Sequence, residues 1–171
     1  TICITAILSN YVNQGCDAIT VFDAQSGLPM RYIPVGHSPL NESPHSIRVS
    51  PDGMYWYVSF VNGEYLQKYR CSDDAFVGEI QLGFGSWNTF AITRDGRNAF
   101  AADLSGGSIF YLDLLNMTVL KRYAGSGLFL NPHGTALSAD NKILYATAQY
   151  GNYIYKLDVS NPLFPNISEI T

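Results

Sequence analysis

The sequence has few charged residues and no long apolar run, and both absences narrow the possible classes of function. Charged residues make up 14% of the 171 residues, with 10 Lys and Arg against 14 Asp and Glu, so the formal net charge is −4. Nucleic-acid-binding domains ordinarily carry a basic stripe, so this composition argues against a nucleic-acid partner. A membrane-spanning helix needs about 20 apolar residues in succession, and the sequence has no such run. No transmembrane segment is therefore predicted.

Common catalytic and cofactor motifs are also missing. The sequence contains no Gly-x-Ser-x-Gly, no phosphate-binding loop, no Cys-x-x-Cys and no Cys-x-x-Cys-His. The three cysteines, Cys3, Cys16 and Cys71, form an odd count without metal-ligand spacing. We expect all three to be free, with one bridged pair as the alternative. We therefore predict no catalytic residue, no metal, no cofactor and no covalently attached haem.

The residues that are abundant favour strands and turns. Hydrophobic residues make up 47% of the chain, and its 12 Tyr and 9 Phe are residue types enriched in strands. Fifteen Gly and eight Pro supply turns. Ile19 and Val21 alternate with Thr20 at the two-residue period of a strand, whereas no segment shows the 3.6-residue apolar period of a helix.

A ten-residue pattern occurs three times along the chain. The copies are Pro44–Gly53, Trp87–Gly96 and Pro132–Asn141, which begin 43 and 45 residues apart. Each copy ends in Asp-Gly or Asp-Asn, dipeptides that favour a tight hairpin turn. Further strand-like runs follow each turn at matching offsets, beginning with Tyr55–Phe60, Asn98–Leu104 and Ile143–Gln149. A repeat of roughly 43 to 45 residues with four short strands is typical of a β-propeller blade.

The repeat divides the chain into about four blades of a single β-propeller region, residues 1–171. Blade 1 is partial and covers residues 1–37, and blades 2, 3 and 4 cover residues 44–83, 87–125 and 132–171. Blades bury their faces against neighbours, and ring closure removes exposed edges. We expect an incomplete ring, with three interpretations open: a piece of a longer chain, closure with another chain or copy, or a small four-bladed ring. The start at Thr1 favours the first.

The repeat resembles that of the YVTN-type β-propellers, also called lactonase-like or YncE-like propellers. The matching segments are Pro44-His45, Val49 to Gly53, Tyr57-Val58, Ile19 to Asp23 and Pro132 to Gly134. The resemblance covers nearly the whole chain and implies an all-β fold of four-stranded antiparallel blades. It also implies an extracytoplasmic location (periplasmic, cell-surface or secreted), because many similar proteins are exported. The fold by itself does not fix a function.

The resemblance also implies where a ligand would bind. In such propellers the start of each innermost strand lies at the mouth of the central channel, and His45, Asn88 and His133 hold this position in three successive blades. These three and the adjacent Trp87 are the candidate ligand-binding residues. Imidazole is a common metal ligand, so a metal or a haem-like group is an alternative ligand. The other interpretation is structural: each histidine bonds backbone and stabilises the start of its blade, and Trp87 packs between blades.

The remaining polar and aromatic residues are assigned to the framework. Six aspartates recur with the blade, three in turns and three at strand ends: Asp52, Asp95 and Asp140, then Asp23, Asp113 and Asp158. Turn chemistry and bonds to the local backbone account for them. Four irregular polar residues form no recognisable set: Glu42, Glu64, Glu79 and Lys68. We also expect Phe84 and Phe129 to pack between blades, and His37 to be a solvated loop residue.

Two functions of different classes fit these observations. The first is a non-catalytic binding or scaffold module of an exported protein, which presents a loop face to a protein, glycan or surface partner or packs against further blades of a longer chain. The alternative is a metal- or cofactor-binding propeller enzyme, lactonase- or reductase-like, with its site at the channel mouth. The small net charge, the many aromatic residues and the missing catalytic set favour the first.

Overall fold

The computed structural model describes residues 2–6, 17–37, 41–124 and 127–170, with the backbone alone for residues 2–6 and 169–170. Within these ranges the chain is all β: consecutive strands form four antiparallel sheets, and no helix is present. The described residues accordingly contain no helix that is long and apolar enough to cross a membrane.

Each sheet is a meander of strands that follow one another in the chain. Sheet 1 contains β1 (Ile2–Ala6), β2 (Ala18–Asp23) and β3 (Pro29–Pro34). Sheet 2 contains β4 (Pro44–Val49), β5 (Tyr55–Phe60), β6 (Tyr65–Arg70) and β7 (Phe76–Gln81). Sheet 3 contains β8 (Trp87–Ile92), β9 (Asn98–Asp103), β10 (Ser108–Asp113) and β11 (Thr118–Tyr123). Sheet 4 contains β12 (Pro132–Leu137), β13 (Ile143–Ala148), β14 (Ile154–Asp158) and β15 (Asn166–Ile170).

The repeated Asp-Gly or Asp-Asn pattern forms the turn between the first two strands of sheets 2, 3 and 4. Asp52 accepts a hydrogen bond from the Ser50 hydroxyl at 2.5 Å and another from the Met54 backbone N–H at 2.9 Å. Asp95 and Asp140 make the same two kinds of bond. The next residue has a positive φ in all three turns: Gly53 (72°), Gly96 (73°) and Asn141 (59°). Glycine and asparagine adopt this conformation most readily, which explains the pattern and confirms the predicted turns.

The aspartates at the strand ends bond to local backbone, as predicted. Asp23 accepts hydrogen bonds from the N–H groups of residues 25 and 26, and Asp113 from those of residues 115 and 116. Asp158 accepts one from the Ser160 N–H at 2.9 Å. These bonds favour the ionised carboxylate and lower the pKa of all three side chains.

The sheets stack side by side, and the hydrophobic core lies in the three interfaces between them. Alternate residues of a strand point to opposite faces, so each middle sheet contributes to two interfaces. Sheets 1 and 2 meet through a cluster that includes Ile19, Val21, Ile33, Trp56, Val58 and Phe60. Sheets 2 and 3 meet through one that includes Tyr57, Leu66, Ile80, Phe90, Ala99 and Ala101. Sheets 3 and 4 meet through one that includes Phe100, Ile109, Tyr123, Leu144, Ala146 and Leu157.

Sheet 4 has one face that no other described sheet covers. Tyr57 in β5 and Phe100 in β9 hold equivalent positions, and they are 1% and 2% exposed because each packs against the next sheet. Tyr145 holds the same position in β13 but is 38% exposed, and Ile154 on the same face is 39% exposed. The four described sheets therefore form an open arc, as the prediction of an incomplete ring required.

The residues of the predicted site lie at one end of the sheets, where the first strands of sheets 2, 3 and 4 begin. The strand pairs Pro44–Phe60, Trp87–Asp103 and Pro132–Ala148 place the starts of the first strands beside the ends of the second. We call this end the loop face. It carries the loops of residues 61–64, 82–86, 104–107, 127–131 and 149–153, and the opposite end carries the Asp-Gly turns.

Candidate functional site

The first strands of sheets 2, 3 and 4 are irregular where the channel mouth was predicted. Pairing with the second strand shifts register between Pro44 and Ser46, between Trp87 and Phe90, and between Pro132 and Thr135. Residues within such a bulge do not pair with their own sheet, so their backbone groups are available to neighbours. His45, Asn88 and His133 all lie within these irregular stretches.

The structure brings His45 and His133 together beside the backbone of Asn88. The two imidazole rings meet edge to face, with centroids 5.8 Å apart and planes at 85°. His45 Nδ1 lies 2.8 Å from the carbonyl oxygen of Asn88. Since a carbonyl only accepts, Nδ1 carries the proton, and Nε2 of the neutral ring is an acceptor. Thr89 Oγ1 donates to the carbonyl of His133 at 2.5 Å, so side chains link the backbones of three successive sheets.

Burial determines the protonation of His45. The pKa of His45 lies below the ordinary value, chiefly because burial disfavours the charged ring. The bond to the Asn88 carbonyl acts in the opposite direction, and the proximity of His133 lowers the pKa further. Within the described part of the chain, His45 Nε2 and both ring nitrogens of His133 have no hydrogen-bond partner. A neutral imidazole whose other nitrogen is bonded to a carbonyl is the form in which histidine accepts protons and binds metals.

Trp87 and the Asn88 side chain make their contacts with groups other than the two imidazoles. Trp87 is 1% exposed and packs edge to face on Phe110, with ring centroids 4.8 Å apart. Its indole N–H donates to the Gly83 carbonyl at 3.1 Å. The Asn88 amide is also buried and donates to the Ser86 carbonyl at 3.1 Å. Trp87 thus belongs to the core between sheets 2 and 3, and the Asn88 amide bonds to the backbone just before its own strand. Ligand binding by the four predicted residues stays a prediction.

The histidine pair supplies two nitrogen donors, which is fewer than a typical metal site needs. Zinc in proteins, for example, takes three or four protein ligands. Among the residues that the structure describes, no group of three or more His, Cys, Asp or Glu side chains is arranged to hold a metal ion. Cys71 is free; the Cys3 side chain and Cys16 lie outside the described residues.

The prediction that Phe84 packs between blades is wrong. Phe84 is 93% exposed on the loop face, whereas Phe129, predicted in the same way, is 4% exposed. Phe129 packs on Tyr155 at 5.0 Å, and the equivalent contact between sheets 2 and 3 is made by Trp87 on Phe110. Because Trp87 occupies that space, Phe84 is left in solvent. Phe84 is a surface feature that sequence reasoning missed.

The prediction that the irregular polar residues form no set is wrong for two of them. Glu42 and Glu79 converge on His37, which was expected to be only a solvated loop residue. His37 Nε2 lies 3.1 Å from Glu79 Oε2, and the His37 backbone N–H donates to Glu42 Oε2 at 2.7 Å. These residues come from different positions of the repeat, so no periodic pattern could have revealed their proximity.

The fold is similar to that of two solved structures of known proteins. One is the hydrazine synthase of Kuenenia stuttgartiensis, with a TM-score of 0.73, 20% identity, and 91% of this chain matched to 44% of that chain. The other is the dihydro-heme d1 dehydrogenase NirN in complex with DHE, with a TM-score of 0.71, 16% identity, and 98% of this chain matched to 35% of that chain. The chain is built of β-propeller blades.

This chain spans less than half the length of each of the two proteins that it matches. No protein-family model and no curated protein matches the chain. At 16% to 20% identity the likeness concerns the fold, and the YVTN-type assignment within the propellers stays a prediction.

Proposed function

We propose that the chain is a non-catalytic binding module of an exported protein and that its loop face binds a protein partner. The observation that carries this proposal is the exposure of Phe84. A phenylalanine that is 93% exposed has nearly its whole ring in water, and burial of such a ring against a partner is strongly favourable.

Two further large apolar side chains on the loop face support the proposal. Tyr150, between β13 and β14, is 73% exposed, and Leu130, between β11 and β12, is 50% exposed. Aromatic residues are enriched in the cores of protein interfaces, whereas Lys, Glu and Asp are depleted there. Three large side chains with apolar surface, presented by separate loops of one face and without a cluster of charge, match this composition.

A pair of matched variants tests the loop face. The purified chain, immobilised, is exposed to secreted and envelope protein fractions and to a glycan array. We expect a retained protein whose binding falls at least tenfold in the double variant Phe84→Ser, Tyr150→Ser. The control is Phe164→Ser, which removes a ring that is 77% exposed on the opposite end of the sheets and should leave binding unchanged. Retention of every ligand by the double variant would contradict the proposal.

The family within the β-propellers and the cellular location are proposed from the sequence. The YVTN-type family is proposed from the matches at Pro44-His45, Val49 to Gly53 and Tyr57-Val58, and the exported location from the similarity to that family. The uncovered face of sheet 4 supports a second contact, with a further blade or another sheet, because its equivalents in sheets 2 and 3 are buried.

The histidine pair favours a second candidate function, a metal- or cofactor-binding propeller enzyme. His45 and His133 hold unpaired ring nitrogens side by side at the predicted channel mouth, and one of the similar structures is described as a complex with DHE. Metal analysis of the purified chain separates the candidates. Stoichiometric metal that disappears in the double variant His45→Ala, His133→Ala would favour the enzyme. Metal-free protein, with partner binding unchanged in that variant, would favour the binding module.

A further inference from the structure

A groove of about 720 Å³ lies between sheets 1 and 2, well away from the contacts of the histidine pair. Its walls come from the end of β3, the following residues Gly36 and His37, β6 and β7, and Asp74 in the turn between these two strands. Pockets that hold small ligands typically have volumes of about 300–1,000 Å³ and combine apolar walls with a few polar groups. The groove meets both conditions, and it is independent of the proposed loop-face function.

The groove exists because the repeat is broken at Gln67. The equivalent positions in sheets 3 and 4 are Phe110 and Tyr155, which are 7% and 1% exposed and fill the interface with the preceding sheet. An amide at this position fills less space than a ring and brings polar atoms into the interface. Gln67 accepts hydrogen bonds from the Gly36 N–H and the Tyr69 hydroxyl, and it donates to Glu79 at 3.2 Å.

Glu79 and His37 line one end of the groove, and the buried Glu42 contacts His37 from outside this lining. Glu42 is 4% exposed and Glu79 is partly exposed, and both contact His37. Glu79 Oε2 lies close to His37 Nε2 and accepts a hydrogen bond from the Gln67 amide. Glu79 Oε1 has no hydrogen-bond donor within the described residues. The nearby Arg31 guanidinium is bonded to Asp74 at 2.5 Å and does not neutralise this end. Two carboxylates share the single imidazole of His37, so net negative charge remains even when His37 is protonated, and Glu79 Oε1 is available to accept a hydrogen bond from a ligand.

Aromatic rings form the other wall. Tyr69 and Phe76 meet edge to face with centroids 5.7 Å apart, and Tyr69 also stacks on Trp56 at 4.2 Å with planes only 8° apart. Phe76 is 53% exposed and lines the groove together with Ile33. Such rings bind flat apolar groups and, through their π faces, cations.

We propose that this groove binds a small organic cation, a primary amine on a flat apolar body, with the ammonium group on Glu79 and the body against Tyr69 and Phe76. A carboxylate with a free oxygen accepts an ammonium group in a charge-assisted hydrogen bond, and the rings supply apolar contact. An anionic molecule of similar size meets repulsion from Glu79, and a neutral one gains no charge-assisted bond.

Calorimetric titration with three probes that share a 4-hydroxyphenylethyl body tests the ligand class. Tyramine carries the ammonium group, 4-ethylphenol lacks it, and 3-(4-hydroxyphenyl)propanoate carries a carboxylate instead. We expect tyramine to bind at least tenfold more tightly than either of the other two. Absence of tyramine binding, or equal affinity for all three probes, would overturn the proposal.

Three substitutions locate the binding in the groove. Glu79→Gln keeps the size of the side chain and removes its charge, so we expect at least tenfold weaker tyramine binding. Glu64→Gln is the matched control, because Glu64 bonds Gln81 outside the groove, and it should leave the affinity unchanged. Gln67→Phe places in the groove the ring that sheet 3 carries at this position, and it should abolish binding. Equal affinity in the Glu79 and Glu64 variants would overturn the site, even if tyramine bound the chain.

Discussion

The imidazole of His45 shows how one backbone irregularity sets the chemistry of a side chain. Asn88 lies in the irregular stretch of β8, and its carbonyl oxygen is 2.8 Å from His45 Nδ1. That bond fixes the tautomer, while burial lowers the pKa of the ring. Substitution of His45 therefore alters both a contact between sheets 2 and 3 and a proton-binding group.

The pH dependence of stability tests the protonation of His45. Its pKa is lower in the folded chain than the value of about 6.5 expected on unfolding, so the unfolded chain binds more protons between these two values. The contribution of His45 to the free energy of unfolding is complete above about pH 6.5. It is lost as the pH falls through the pKa that His45 has in the folded chain. We expect thermal unfolding midpoints measured from pH 7.5 to 5 to fall less steeply in His45→Gln than in the unsubstituted chain. Parallel profiles would show that His45 is not the titrating group.

Asp103 provides a second test at the residue scale. This carboxylate is 1% exposed and accepts hydrogen bonds from the N–H groups of Ser86 and Gly106, both at 3.0 Å. Asp103→Ala leaves these donors without a partner, so we expect a loss of about 2–3 kcal/mol in the free energy of unfolding, measured by denaturant titration. Asp95→Ala, in an exposed turn, is the control and should cost clearly less. Equal losses would contradict the structural role of Asp103.

Strands and turns were predictable to within about two residues because the turn chemistry recurs. Asp52 with Gly53, and Asp140 with Asn141, fix the hairpins that frame the second strands. The position of His45 beside His133 followed from the same repeat. The burial of Phe84 was predicted wrongly because the loop before β8 does not follow the repeat. Alignment of Phe84 with Phe129 therefore carried no information about its burial.

Equivalent tyrosines in two sheets test the register of the repeat. Tyr57 is buried between sheets 2 and 3, whereas Tyr145 is 38% exposed on sheet 4. Removal of a large buried ring costs about 3–5 kcal/mol, and most exposed substitutions change stability by less than about 1 kcal/mol. We therefore expect Tyr57→Ala to lower the free energy of unfolding by at least about 3 kcal/mol and Tyr145→Ala to have a small effect. Similar losses in both would contradict the open face of sheet 4.

The groove between sheets 1 and 2 illustrates the limit of prediction from a repeat. His37 and Glu42 lie in a connecting segment, Gln67 in β6 and Glu79 in β7. Each interrupts the pattern separately in the sequence, and only the packing of two sheets brings them to one place.

The four sheets taken together form a stack with an apolar end. Tyr145 and Ile154 on sheet 4 are more than a third exposed, and their equivalents in sheets 2 and 3 contact a neighbouring sheet. Exposed apolar sheet faces promote association.

The assignment of residues 1–171 to a single domain stays a prediction, as do the blade boundaries.

Sedimentation velocity tests this end of the stack. We expect the weight-average sedimentation coefficient of the chain to rise with concentration, and the rise to disappear in the double variant Tyr145→Lys, Ile154→Lys. Leu115→Lys is the control: Leu115 is 64% exposed in the turn after β10, so this substitution should leave the association unchanged. Identical behaviour of all three proteins would exclude the sheet 4 face as the contact.

The meander order of the strands has a consequence for synthesis of the chain on the ribosome. Every strand in sheets 2, 3 and 4 bonds to the strand just before or after it in the sequence, so each sheet contains only short-range pairings. Such pairings form fast. A sheet can complete its hydrogen bonds once about 40 residues have emerged, but one of its faces stays bare until the next sheet arrives. Translation rate therefore determines how long each aromatic face, such as that of Tyr57 or Phe100, is open to chaperones.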